Sequence, residues 1–135
     1  MTRLQYESKF DGFLVDLFVG TSEELNREMF GGEEVVRYAC GATISSGLMP
    51  AETCGCLVWL DRFDGSPDCV STLFHELVHA SALRLSKNGT LNRRPKAKDL
   101  RKGRLVSLDE LMAHSVKELG EYFLAELNKA AEGLD

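Results

Sequence analysis

The stretch from Ser66 to Gly89 constrains the fold more than any other, because it marks both ends of one helix. Ser66 suits an N-cap, Pro67 the first helical position and Asp68 the first turn, while Asn88-Gly89 supplies a stop. The spacing predicts a helix of roughly 20 residues. In its middle, within the apolar run Leu73 to Leu85, stands His75-Glu76-Leu77-Val78-His79. Positions i and i+4 lie one above the other on a helix, so two imidazoles so placed can share one zinc ion, each about 2.0–2.1 Å from it. Glu76 between them can take the proton of a water held by the metal. Two of the chain's three His fill this pattern. The residues point to hydrolysis by activated water, most often of peptide bonds; the plainer alternative is a helix whose two His are merely solvated.

Catalytic zinc usually takes three protein ligands and leaves one position open. The downstream candidates are His114 and the carboxylates Asp99, Asp109, Glu110 and Glu118. The motif Glu110-Leu111-Met112-Ala113 is similar to the E-x-x-A signature of gluzincins, metallopeptidases whose third ligand is a Glu on a helix after the H-E-x-x-H helix. Together with His75 to Ala80 it resembles small metallopeptidases encoded by phages and prophages, over roughly Gly55 to Leu127. That resemblance implies His75, His79 and Glu110 as zinc ligands and Glu76 as general base, with Asp109 as the fallback ligand. His114, four residues after Glu110, would orient a ligand, stabilise an oxyanion, replace Glu110, or be a plain surface His. SprT-like proteases share H-E-x-x-H-A but take a third His soon after it, and no His lies between Ala80 and Ala113.

Two features pull against Glu110. Ser107-x-x-Glu110 is also a capping box, which would occupy the carboxylate. The apolar stripe of the final helix runs through Leu108, Leu111, Met112, Val116, Leu119, Phe123 and Leu127, and Glu110 lies on the side opposite. A weaker apolar surface at Ala113, Leu124 and Ala131 would have to bury it.

The chain of 135 residues is 44% hydrophobic and 27% charged, the balance of a water-exposed globular domain, and is expected to form a single domain over 1–135. The mixed, charged opening from Met1 to Gly12 does not read as a signal peptide, and no apolar run approaches the roughly 20 residues that span a bilayer. The expected location is the cytoplasm (that of the host, if phage-encoded). The four cysteines, Cys40, Cys54, Cys56 and Cys69, are then expected as reduced thiols acting as small hydrophobes. A structural zinc on all four fits poorly, because Cys54 and Cys56 are separated by a single residue. Cys69, in the first turn of the metal helix, is a possible reactive thiol.

The order of elements predicts an α+β fold: a small, mostly antiparallel sheet with helices packed on one face. Gly12 to Gly20 reads as the first strand. Thr21-Ser-Glu-Glu24 reads as a capping box opening a helix to about Phe30, stopped by Gly31-Gly32. Glu34 to Cys40, continuing through Ile44, reads as a second strand and Gly55 to Asp61 as a third. A long helix from about Leu108 to Ala131 closes the chain. The arrangement resembles a minimal zincin core, which implies that Gly55 to Asp61 is the edge strand along which a peptide substrate lies. Trp59 is expected in the core.

Residues 84 to 104 hold nine of the 16 basic residues (Arg84, Lys87, Arg93, Arg94, Lys96, Lys98, Arg101, Lys102, Arg104) against one acid, Asp99, in a chain of net charge −5. Such segregation reads as a solvated loop or as an anion-seeking surface beside the site. Without aromatics in it, any nucleic-acid contact would be to phosphates, through Arg93, Arg94, Lys96 and Lys98. The expected partner is a protein or peptide substrate, with no membrane. The competing expectation is a catalytically silent zincin-like phage accessory protein that binds a host protein or nucleic acid through this segment.

Overall fold

The structure, a computed structural model, describes residues 1–34, 40–45, 55–87 and 108–132. Their elements are β1 (Thr2–Glu7), β2 (Leu14–Val19), α1 (Ser22–Phe30), β3 (Gly41–Ser45), β4 (Gly55–Leu60), α2 (Pro67–Lys87) and α3 (Leu108–Glu132). The fold is α+β, as expected. The sheet has the order β1-β2-β4-β3 and is mixed. β1 and β2 form an antiparallel hairpin, β2 and β4 run parallel, and β3 returns antiparallel to β4.

Three expectations are corrected. The opening residues form a strand that their mixed composition conceals. Thr2, Leu4 and Tyr6 turn inward while Arg3, Gln5 and Glu7 stay exposed, the period of two that an edge strand shows. Next, Gly55 to Asp61 is not an edge. β4 lies between β2 and β3, with every residue from Gly55 to Leu60 buried, and an unbroken apolar run is what burial on both faces demands. Its first residue must be glycine, since a Cβ at Gly55 would run into the carbonyl of Leu14 on β2. Finally, the helices do not share one face. Val15, Leu17, Cys56, Val58 and Leu60 pack against Leu73, Leu77 and Ala80 of α2 and Leu119, Phe123 and Leu127 of α3. The alternate residues Phe18, Ile44, Leu57 and Trp59 pack on the opposite face, against Leu25, Met29 and Phe30 of α1.

The helix ends follow the sequence closely. Thr21 accepts from the Glu24 amide while the Glu24 carboxylate accepts from the Thr21 amide, completing the capping box, and Gly31 ends α1 in the left-handed region at φ 62°. Ser66 Oγ accepts from the Cys69 amide at 3.4 Å at the start of α2. The expected stop at Asn88-Gly89, the expected strand over residues 35–39, the expected cap at Ser107 and the basic residues Arg93, Arg94, Lys96 and Lys98 lie outside the described residues. Trp59 is core as expected, its Nε1–H donating to the Gly20 carbonyl at 2.8 Å; burial of such a side chain is worth roughly 1.5–3 kcal/mol. No described helix is long and apolar enough to cross a membrane.

Arg84 takes a place the charge pattern does not suggest. It is 5% exposed, so it belongs to the interior and not to the basic connection. Its guanidinium donates to Asp11 Oδ2 (2.8 Å) and Oδ1 (3.1 Å), Ser8 Oγ (2.7 Å), Ser115 Oγ (3.2 Å) and Glu118 Oε1 (2.9 Å). This joins the β1–β2 turn, α2 and α3. Tyr6 of β1 enters the same cluster by donating to Glu118 Oε2 at 2.7 Å. That bond, burial and the carboxylate charge push the Tyr6 phenol up from 10.0 to about 12. Burial alone would raise Glu118, but the bonds it accepts from Tyr6, Ser8 and Arg84 outweigh it and hold the carboxyl low.

Both shifts imply a pH dependence of stability. A phenol raised in the folded chain contributes fully below pH 10 and loses that contribution as the pH climbs through about 12. A lowered carboxyl contributes at neutral pH and loses its share as the pH falls through and below the ordinary glutamate range. In urea melts, the stability gap between the parent and Tyr6→Phe should therefore narrow from pH 9 to about pH 12. A gap constant over that window would contradict the Tyr6–Glu118 bond.

Candidate functional site

α2 presents three kinds of surface, dictated by its period of 3.6. Leu73, Leu77 and Ala80 face the sheet. Phe74 and Ser81 face α3: a Cβ on Gly120 would strike the Phe74 ring, and the hydroxyls of Ser81 and Ser115 lie 2.7 Å apart. His75 and His79 face solvent, and their ring centroids are 4.9 Å apart. The i, i+4 spacing has thus brought the two imidazoles together on one open face, as expected.

Glu76 lies between these surfaces and is 6% exposed. It points toward β3, the strand at that edge of the sheet among the described residues. Thr43 Oγ1 lies 2.8 Å from Glu76 Oε1 and 3.0 Å from the Glu76 backbone carbonyl. The close approach depends on Gly41, two residues earlier on the same face of β3. A Cβ there would stand 3.0 Å from Thr72 Cγ2 and 3.3 Å from Glu76 Cγ. Thr43 thus engages one of the two Glu76 carboxylate oxygens. The result is a nearly buried carboxylate fixed at one oxygen, on the helix that exposes His75 and His79.

Glu110 and His114 lie elsewhere. The contacts of Phe74 with Gly120 and of Ser81 with Ser115 make α3 run back along α2. Glu110, five residues before Ser115, is then about 10 Å further along the helix axis than His79, at 1.5 Å per residue. It projects from the outer face, as the apolar stripe implies, with its side chain 66% exposed, and its Oε2 pairs with His114 Nε2 at 3.6 Å. Ala113 and Ala131 are exposed, so the weaker apolar surface does not bury it. His114 lines, with Phe10, Leu85 and Leu111, an open groove of about 430 Å³ over Arg84. Asp109 is exposed at the start of α3. Among the described residues no three His, Cys, Asp or Glu side chains come together. The expected trio of His75, His79 and Glu110 is therefore not assembled in this structure.

The donor set nonetheless suits part of a zinc site: two neutral-capable imidazoles on one rigid face, which is two of the three ligands a catalytic zinc takes. Among the described residues the cysteines supply no alternative centre. Cys56 and Cys69 are buried in the core, Cys40 is exposed, and Cys54 lies outside the described residues. Burial argues against a reactive Cys69. The residue missed by sequence reasoning is Thr43, which carried no signal of its own because its partner is 33 positions away. No protein family, curated protein or solved structure matches the chain.

Proposed function

We propose that the His75–Glu76–His79 face of α2 is the centre of a zinc-dependent hydrolase of the gluzincin type, acting on peptide bonds. The observation that carries this reading is the contrast between Glu76 and its neighbours. A helix with two merely solvated His has no reason to bury the intervening carboxylate against a hydroxyl of another strand, since burying an ionisable group is costly unless it is bonded. Here one Glu76 oxygen is bonded to Thr43, which leaves the other to act as the general base.

His75 and His79 would hold the zinc through one ring nitrogen each, and zinc in such a site supplies Lewis acidity and eases the loss of a proton from water. Glu76 would act as the general base through its second oxygen and would return the proton to the departing amine. Among the described residues, the edge strand that borders this face is β3. An extended peptide can add to β3 as a further strand, using its backbone groups for affinity. The zincin likeness thus rests on β3 beside α2, in place of the strand from Gly55 that the resemblance implied. Glu110 remains the third ligand that the E-x-x-A resemblance proposes, although the structure holds it apart from His75 and His79.

The decisive test is metal uptake combined with cleavage of an unfolded protein such as casein. The purified chain should bind about one zinc, lose it in His79→Ala, and lose cleavage on chelation. Glu110→Ala should also weaken zinc binding, as removal of one of three protein ligands must. Absence of zinc binding at micromolar concentration, or zinc retained in His79→Ala, would overturn the reading.

A further inference from the structure

The Thr43 hydroxyl has one proton and two acceptors belonging to the same residue, the carboxylate oxygen and the main-chain carbonyl of Glu76. Such a contact ties the end of a long side chain to its own backbone. Three torsions separate the Glu76 carboxylate from the helix, and each would otherwise sample several wells. The backbone at 76 is in turn rigid, because α2 is packed on the sheet through Leu73, Leu77 and Ala80.

The strand side is equally fixed. Ala42 and Ile44, the residues flanking Thr43, pack on the α1 face of the sheet. The pleat therefore directs Thr43 to the α2 face. Thr43 also pairs with Val58 of the central strand β4. Gly41 allows β3 and α2 to approach closely enough for the contact.

We propose that Thr43 is the positioning residue for Glu76: it holds one carboxylate oxygen so that the other is presented beside His75 and His79, and it does so from the strand along which the peptide substrate lies. This rests on the hydrolase reading above. Docking of an extended substrate on β3 would then bear directly on the strand that aims the base. Thr43 does not itself touch the reacting atoms, so its loss should lower turnover more than substrate affinity.

The test compares Thr43→Val, which keeps the shape and removes the hydroxyl, with Thr43→Ser, which keeps the hydroxyl. If Thr43→Val fails to fold, Thr43→Ala makes the same comparison. In the zinc-loaded enzyme, kcat should fall by about 10–100-fold in Thr43→Val with KM changed by less than about threefold, and Thr43→Ser should recover most of the loss. The second readout needs neither metal nor turnover: NMR side-chain couplings and order of Glu76 in the metal-free chain. They should report one dominant rotamer in the parent and in Thr43→Ser, and rotamer averaging in Thr43→Val. Equal order of Glu76 in all variants would overturn the proposal. If the parent shows no hydrolysis, the hydrolase reading fails, while the order of Glu76 still decides what Thr43 does.

Discussion

Arg84→Ala should lower the folding stability by roughly 3–5 kcal/mol, a large share of the 5–15 kcal/mol that holds a domain of this size. The reason is what would be left behind. Asp11 and Glu118 both face the guanidinium at hydrogen-bond distance, and each would lose that charged partner in a largely buried space. Ser8 and Ser115, also buried, would lose a donor each. The Phe13 ring, whose centroid lies 5.9 Å from the guanidinium carbon, would lose a cationic neighbour. Arg84→Lys should recover little of this, because an ammonium is a point charge with three donors and the site uses five contacts in a planar fork. Urea melts at neutral pH are the measurement: the midpoint should drop with the slope unchanged. A loss below about 1 kcal/mol, the range of surface ion pairs, would show that the cluster is not the clamp described here.

Arg84 also shows where sequence reading stops. Its place on α2 was legible: it stands four residues after Ala80 and seven after Leu77, on the buried stripe. Charge counting overrode that period and assigned it to the basic stretch. Its partners were not legible, because Ser8, Asp11, Ser115 and Glu118 come from segments 31 to 76 positions away. The helices were readable because their signals are local: Thr21 and Glu24 at α1, Ser66 and Pro67 at α2, the stripe through Leu119, Phe123 and Leu127 at α3. The sheet was readable only in part. β1 hid its alternation among charges. The unbroken run from Gly55 to Leu60 already signalled a strand buried on both faces, and only the zincin resemblance made it an edge.

The candidate site divides the same way. His75 and His79 meet because spacing alone places them. Thr43 reaches Glu76 only through the sheet order, which sets β3 next to β4 and beneath α2. For Glu110 the sequence contained two conflicting signals, a short motif and a helical period. In the structure Glu110 follows the period and projects away from the core with His114.

Glu76→Gln should reduce hydrolysis by roughly 10²–10⁴-fold while leaving zinc uptake and the melting temperature close to those of the parent. Gln keeps the length and shape of Glu, and its amide oxygen can still accept from Thr43, so the contact between β3 and α2 survives. What it loses is the capacity to take a proton at the oxygen that Thr43 does not hold. Glu76→Ala is the poorer variant, since it empties a position that is 6% exposed and leaves Thr43 with only the backbone carbonyl. The two should therefore separate chemistry from structure: both are inactive, but only Ala shifts the melt. Measured on zinc-loaded protein with casein as substrate, full activity in Glu76→Gln would sink the assignment of Glu76 as the base. Loss of activity together with loss of zinc would place Glu76 among the groups that hold the metal.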